Sequence, residues 1–228
     1  MPRRYAPGGH IFHVMNRAIA GTQLFARPED YQAFEGIMAE AFLQVPMRLL
    51  AYCLMPNHWH MMLWPFENGD LSRHMHWLTM THAIRWRQHR DSAGRGHLYQ
   101  GRFKAFPIER ASGVLCVGRY IERNARTANL VQRAEDWRFG SLWRRTHPHI
   151  TDGVPSLFEW PVLRPSDWIT LVNEPQTKKA IDAIRLSVAR GRPFGPPEWQ
   201  KRVAAELKIE SSLRDRGRPP KKTPGVFI

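Results

Sequence analysis

Cysteine and long apolar runs are scarce in this 228-residue sequence. Its two cysteines, Cys53 and Cys116, are too few for a disulfide framework, and neither has the Cys-x-x-Cys partner of a zinc or redox site. No run approaches the roughly 20 apolar residues that cross a bilayer, and the opening residues lack the apolar segment of a secretory signal. The sequence therefore predicts a cytoplasmic protein with no membrane association.

Acidic residues and lysine are also few. Asp and Glu number 20 against 34 Lys and Arg, which gives a net charge of +14, and 27 of these cations are Arg against 7 Lys. A coding bias toward Arg would explain its excess over Lys, but it would not explain the net charge. Because the planar guanidinium binds phosphate and stacks on bases, this composition predicts a polyanionic partner, most simply a nucleic acid.

The apolar pattern predicts strands and helices in the order of one mixed domain. Strand patterns with alternating side chains and helix patterns with three- and four-residue spacing follow one another as strand, helix, strand, strand, helix, strand, helix. The first six elements have the order of a ferredoxin-like antiparallel sheet with helices on one face, an α+β fold. The predicted strands cover residues 10–16, 47–55, 58–64 and 102–108, and the predicted helices cover residues 28–44, 70–89 and 112–132.

The character of the sequence changes after Trp143. Four prolines lie between residues 144 and 168, and two short helical patterns follow near 177–189 and 198–207. The segment 214–222 is basic and rich in Pro and Gly, a composition that does not bury a core and predicts disorder in isolation. We therefore predict a domain over residues 1–148 and a C-terminal extension over residues 149–228 that holds short helices and a basic tail.

Two histidines on the third predicted strand form a candidate metal site. Side chains alternate along a strand, so His58 and His60 share one face while Trp59 points to the other, toward the helices. Imidazoles whose strand positions are about 7 Å apart can bind one divalent ion. For an isolated His-x-His pattern, the more frequent reading is a solvent-facing strand. The other histidines are weaker candidates: His10 and His13 are expected on opposite faces, and those of the second helix are expected to form a basic face near DNA phosphates with Arg85, Arg87 and Arg90 (His74, His76, His82 and His89).

A tyrosine on the third predicted helix is a candidate nucleophile. Asn124 follows Tyr120 by four residues, which places both on one helical face. A phenol can attack phosphorus and form a covalent intermediate, and Arg119 and Arg123 would supply the positive surroundings that this reaction needs. The alternative is a partly buried helix tyrosine without a catalytic role.

These motifs together resemble the REP-associated tyrosine transposases, which belong to the single-tyrosine HUH nucleases. The resemblance covers roughly residues 8–145. It is carried by Tyr52-Cys-Leu-Met-Pro-Asn-His-Trp-His60 and Arg119-Tyr-Ile-Glu-Arg-Asn124, with support from His13-Val-Met-Asn-Arg17, Asp30-Tyr31, Gly101-Arg-Phe-Lys104 and Trp137-Arg-Phe-Gly-Ser-Leu142.

The resemblance implies an HUH nuclease fold and metal-dependent cleavage and joining of single-stranded DNA at REP hairpins. It implies that Tyr120 attacks the scissile phosphate to give a 5′-phosphotyrosine bond, and that Mg²⁺ or Mn²⁺ is held by His58, His60 and Asn124. The alternative is a protein that keeps the fold and binds hairpin or single-stranded nucleic acid without cutting it. Whether the protein is a monomer or a homodimer stays open. The residues predicted to bind DNA are Arg119, Arg123, Arg214, Arg216, Arg218, Lys221 and Lys222.

Overall fold

The computed structural model describes residues 6–90, 96–150, 153 and 155–214 of the chain. Of the predicted tail cations, Arg214 is described, whereas Arg216, Arg218, Lys221 and Lys222 lie outside the described residues. The elements in chain order are β1 (Ile11–Arg17), α1 (Pro28–Gln44), β2 (Met47–Met55), β3 (His58–Pro65), α2 (Asp70–His89), β4 (Lys104–Ile108), α3 (Ser112–Glu122), α4 (Asn124–Thr127), α5 (Ser141–Thr146), α6 (Trp168–Asn173), α7 (Lys178–Arg190) and α8 (Pro197–Glu206).

The four strands form an antiparallel sheet in the order β2-β3-β1-β4. This confirms the predicted α+β fold, and β2 begins and ends at the predicted residues. The register sets Met15 of β1 opposite His60 on one side and Lys104 on the other, and Arg17 opposite His58. The register therefore aligns a row of polar and cationic side chains across the strands at one end of the sheet.

Helices cover both faces of the sheet. The two helices of the βαββαβ unit, α1 and α2, pack on one face as predicted, where Trp59, Met61 and Leu63 are buried. The opposite face packs on α3 and on the C-terminal extension, with Met62, Phe106 and Ile121 among the buried residues. Because neither face is left to solvent, β2 is apolar along nearly its whole length.

The predicted third helix is wrong in its C-terminal half. The helix α3 ends at Glu122, and after Arg123 only the short α4 follows. At this interruption the Tyr120 carbonyl accepts a hydrogen bond of 2.9 Å from Asn124 Nδ2. Asn129, at a φ of 56°, then takes the left-handed conformation that ends helical structure. Leu130, expected on the buried side, is 38% exposed.

The C-terminal extension packs against the core of the sheet. Its two predicted helices are confirmed as α7 and α8, whereas its helix α6, like α5 just before the extension, is not predicted by the sequence. Trp160 and Trp168 are buried on the α3 face, and the Trp160 indole donates a hydrogen bond of 2.6 Å to the Leu50 carbonyl. Phe194 pairs with the edge strand β4 through hydrogen bonds at Pro107 and Glu109. The extension therefore covers the edge of β4, which would otherwise be open to pairing with another chain. The division into a domain over residues 1–148 and an extension stays a prediction.

Within the described residues, no helix combines the length and apolar character that crossing a membrane requires.

Candidate active site

His58 and His60 lie side by side on the face of β3 that is turned toward α3. Their ring centroids are 5.0 Å apart and the rings are nearly perpendicular, at 84°. His60 is buried and His58 is half-buried. Trp59 points to the opposite face, where it packs among the residues of α1 and α2. This is the arrangement that strand alternation predicts.

A third histidine, His13 of β1, belongs to the same cluster. Its Nε2 lies 2.9 Å from Nδ1 of His60, and its ring packs 4.8 Å from that of Phe106. Sequence reasoning missed this residue, because a contact between β1 and β3 depends on a strand register that one sequence does not give. Once Met15 is set opposite His60, His13 becomes its diagonal neighbour on the same face.

The hydrogen bond of His58 leaves its Nε2 as the ligand atom, and one tautomer of His60 does the same. Nδ1 of His58 lies 2.6 Å from Oδ1 of Asn57, an oxygen that only accepts, so Nδ1 carries the proton. If His60 likewise donates Nδ1–H to His13, its Nε2 keeps a lone pair. Burial lowers the pKa of His58 to about 4, with a further contribution from the Arg17 charge, and holds the pKa of His60 well below its usual value. Both rings are therefore neutral at pH 7, the form that binds a metal.

Tyr120 faces this histidine cluster from α3. Its ring centroid lies 5.8 Å from that of His60 and 6.4 Å from that of His13, in edge-on contacts. Burial raises the pKa of Tyr120 above its usual value, while Arg185, the Asn124 side chain and Arg17 act in the opposite direction. The phenol is thus protonated in the resting protein, next to groups that favour its ionised form.

A cavity of about 590 Å³ connects the four predicted site residues. Its lining includes His58, His60, Tyr120 and Asn124, so the structure brings together all the residues predicted for metal binding and nucleophilic attack. The Asn124 amide donates to the Tyr120 carbonyl through Nδ2, which leaves Oδ1 as an acceptor on a residue that lines the same cavity as the histidines.

The charge of the cavity lining has one sign. Four cations from different parts of the chain line it, and none of its described lining residues is Asp or Glu. Within the described part of the chain, none of the four forms a side-chain hydrogen bond or ion pair. Such a concave and positively charged surface attracts phosphate groups. The four are Arg17, Arg102, Lys104 and Arg185.

The model of the IS200-like transposase family matches residues 8–124, more than half of the chain. The chain belongs to the IS200-like transposase family. It is therefore an enzyme of the transposase type, and the matched residues include His58, His60, Tyr120 and Asn124.

A solved structure described as a REP-associated tyrosine transposase bound to a REP hairpin is similar to this transposase. The TM-score is 0.53 at 19% sequence identity, over 71% of this chain and 94% of the other. At this identity the similarity establishes a shared fold. No curated protein sequence matches the chain significantly.

The two arginines that flank Tyr120 contact the extension and do not line the cavity. Arg119 donates to the carbonyls of Glu174 and Pro175, and Arg123 donates to those of Val172 and Asn173. These carbonyls lie at and just beyond the C-terminal end of α6, which favours positive charge. DNA binding by Arg119 and Arg123 stays a prediction, as it does for the tail cations.

The expectation of a basic histidine face on α2 is wrong for two of its members. His74 and His82 are buried, and their Nδ1 atoms contact the Val45 carbonyl at 3.0 Å and the Tyr99 hydroxyl at 2.6 Å. Helical periodicity turns these positions toward α1 and the sheet, where a buried histidine needs a hydrogen-bond partner. His76 and His89 are exposed, as expected.

Among the described residues, no group of three or more His, Cys, Asp or Glu side chains is placed to hold a metal. The candidate site contains two such ligands, His58 and His60, and its third would be the amide oxygen of Asn124. Two neutral imidazole nitrogens with one amide oxygen form a donor set that first-row divalent ions accept. The residues present therefore fit a divalent metal.

Proposed function

We propose that this transposase cleaves and rejoins single-stranded DNA beside a REP-type hairpin, through a covalent bond between Tyr120 and a 5′-phosphate. The observation that carries the proposal is the convergence of Tyr120, His58, His60 and Asn124 on one cavity, whose described lining holds four cations and no carboxylate. The hairpin is proposed from the family and from the hairpin-bound structure of similar fold.

The cations of the cavity bind the DNA backbone. Arg17 and Lys104 stand on strands whose register places them beside the histidines, so their positions are fixed by the sheet. Arg102 lies just before β4, in the motif Gly101-Arg-Phe-Lys104 that resembles the family. A phosphate held among these charges has its phosphorus within the same cavity as the Tyr120 ring. The resulting proximity removes much of the entropic cost of the attack.

The covalent step exchanges one phosphoester for another. The Tyr120 Oη forms a bond to phosphorus, the bond between phosphorus and the 3′ oxygen breaks, and that oxygen leaves as a 3′-hydroxyl after taking up a proton. The phenol loses its own proton in the attack, so the protons balance and no ATP or oxidant is needed. Attack by another 3′-hydroxyl reverses these events and joins two strands.

His58, His60 and Asn124 would hold the divalent metal. When bound, the metal would supply Lewis-acid polarisation of the scissile phosphate and would stabilise the charge that develops during attack. Mg²⁺ prefers oxygen ligands and retains its waters, whereas Mn²⁺ accepts imidazole more readily. The imidazole-rich donor set therefore favours Mn²⁺ over Mg²⁺.

The deciding experiment selects covalent protein–DNA adducts from a library of hairpins with randomised unpaired flanks, in the presence of Mn²⁺. We expect the wild-type protein to form an adduct that survives denaturation, and Tyr120→Phe to bind hairpins but form no adduct, because Phe keeps the ring and lacks the attacking oxygen. Tyr31→Phe is the matched control, since this buried tyrosine lies on the opposite face of the sheet.

Hairpin binding without any adduct from the wild-type protein would favour the alternative of a non-catalytic binding protein. An adduct that persists in Tyr120→Phe would assign the nucleophile to another tyrosine. Tyr99 is a poor substitute, because its buried hydroxyl contacts His82 and accepts a hydrogen bond from the Trp59 indole.

A further inference from the structure

The C-terminal extension contributes one wall of the catalytic cavity. Arg185, Val188 and Ala189 of α7 all line the cavity that contains Tyr120 and the histidines. Their spacing of three and four residues puts them on one side of the helix. All three lie outside residues 8–124, which match the family model. This part of the cavity is therefore built by a segment that the family match does not include.

The position of α7 is fixed at several points. Ile184 and Ser187 are buried against the rest of the protein. The helix ends at Gly191, whose φ of 69° suits glycine, and three residues later Phe194 is hydrogen-bonded to the edge of β4. A helix anchored in this way holds the side chains on its cavity side at a defined place relative to β4 and α3.

The Arg185 side chain has no polar partner among the described residues. It is exposed at the cavity and forms no side-chain hydrogen bond or ion pair with any other described residue. Arg190 on the same helix differs, because its guanidinium donates to the carbonyls of Ser211 and Ser212. Arg185 is the cation through which the extension adds positive charge to the cavity, in addition to the cations that the strands supply.

We propose that Arg185 binds the scissile phosphate of the DNA in the Tyr120 cavity, so that the C-terminal extension completes the active site. This inference rests on the proposed function for the identity of the phosphate. The planar guanidinium donates two parallel hydrogen bonds to phosphate oxygens, which holds the phosphate in one orientation. An unpaired Arg beside the nucleophile is placed for that role.

A binding cycle tests the contact without relying on cleavage. The ligand is the tightest-binding hairpin selected from a library with randomised flanks, and the protein carries Tyr120→Phe so that no adduct forms. Single methylphosphonate groups replace the flank phosphates one at a time, which removes the charge of one phosphate. The dissociation constant of each DNA is measured for the protein with Arg185 and for the Arg185→Gln variant. Lys179→Gln is the matched control, because it removes one charge from the same helix about 120° away around the axis, at about 100° per residue.

We expect Arg185→Gln to weaken binding about tenfold, the typical effect of losing a charged hydrogen bond. That loss should fall below about twofold when one particular phosphate is neutral, since the two changes then remove the same contact. Arg185→Lys should restore part of the affinity, because it keeps the charge and loses the fork. Lys179→Gln should weaken all the DNAs equally. In the protein with Tyr120 intact, the same phosphate should be the one that becomes joined to the tyrosine.

The inference would be overturned if Arg185→Gln weakened binding equally whichever phosphate is neutral, or if the coupled phosphate were not the one joined to Tyr120. Adduct formation by the wild-type protein would still support the proposed function in that case. If the wild-type protein forms no adduct, the proposed function fails. The binding cycle then still decides whether Arg185 contacts a phosphate: coupling at a single phosphate supports the contact, and its absence refutes it.

Discussion

Three histidine side chains at the site form a chain of contacts from the core to the cavity. His13 is fully buried and contacts His60, and His60 and His58 line the cavity. Burial lowers the pKa of His13 to about 3, so this ring is also neutral at pH 7. Nδ1 of His13 has no hydrogen-bond partner among the described residues. A buried polar atom without a partner costs stability, so the one polar contact that the His13 ring makes in the described chain is the one with His60.

We predict that His13→Phe lowers the affinity for Mn²⁺ by about 10- to 100-fold, the usual effect of losing a residue that orients a metal ligand. Phe preserves the packing against Phe106 and removes the hydrogen bond to His60. The measurement is calorimetric titration of the DNA-free protein with Mn²⁺. His60→Ala should lose more affinity because it removes a ligand, and Asn124→Ala should lose less because water can replace one oxygen ligand.

His74→Phe is the control for this comparison, because it also replaces a buried histidine but lies against the other face of the sheet. It should alter the melting temperature and leave Mn²⁺ affinity unchanged. Affinity of His13→Phe equal to that of the wild-type protein would show that the contact does not position His60. Unchanged Mn²⁺ affinity in His60→Ala would show that His60 is not a metal ligand and would contradict the proposed metal site.

At the scale of elements, the helix that carries Tyr120 depends on one glycine. A methyl group added at Gly118 would overlap the indole of Trp160. This indole is held in place by its hydrogen bond to Leu50 and by an edge-on contact with Trp168 at 5.2 Å. The absence of a side chain at Gly118 therefore lets α3 and the extension approach closely, two residues before Tyr120.

We predict that Gly118→Ala destabilises the protein by about 1–3 kcal/mol, the usual cost of overpacking a filled core. Gly36 is the matched control, because it lies inside α1 with open space around its missing side chain. Gly36→Ala should stabilise the protein by about 0.5–1 kcal/mol, since Ala loses less backbone entropy on folding. Thermal and denaturant unfolding measure both. Equal effects of the two substitutions would show that Trp160 is free to move away.

Elements with their own apolar period could be predicted from the sequence, and those that depend on distant partners could not. The hairpin of β2 and β3 and the helices α1, α2, α7 and α8 follow from local pattern. The short helices α5 and α6 are stabilised by contacts of single residues. One example is the Trp168 indole of α6, which donates a hydrogen bond of 2.7 Å to the Glu122 carboxylate. The same limit applies at the site: His58, His60, Tyr120 and Asn124 belong to local motifs, whereas His13 and Arg185 reach it through strand register and through packing of α7.

At the scale of the whole molecule, the sheet is enclosed by two different sets of helices. One face holds α1 and α2, and the other holds α3 together with the extension. The site lies on the second face, so the extension has both a packing role and a place in the cavity wall. Truncation before α7 would consequently expose part of the core as well as remove Arg185, which is why single substitutions test the site better than deletions.

Enclosure on both faces also determines how stability depends on pH. Burial lowers the pKa of His74 to about 4 and that of His82 to about 3, although each ring has a hydrogen-bond partner, and the site histidines shift in the same direction. These rings are neutral in the folded protein and accept protons on unfolding once the pH falls below about 6.5. Their contribution to stability is therefore complete above pH 6.5 and is lost progressively as the pH falls toward 4.

We predict that the free energy of unfolding of the metal-free protein falls steeply between pH 6.5 and 4. Each histidine of this kind adds up to about 1.4 kcal/mol per pH unit to the slope, because unfolding takes up one more proton. Urea unfolding at pH 7.5, 6.5, 5.5 and 4.5 measures the slope. His82→Phe should reduce it by one proton, although the loss of the contact with Tyr99 lowers stability at every pH. A slope that does not change in His82→Phe would show that this ring is already protonated in the folded protein, and it would contradict the burial of His82 between α1 and α2.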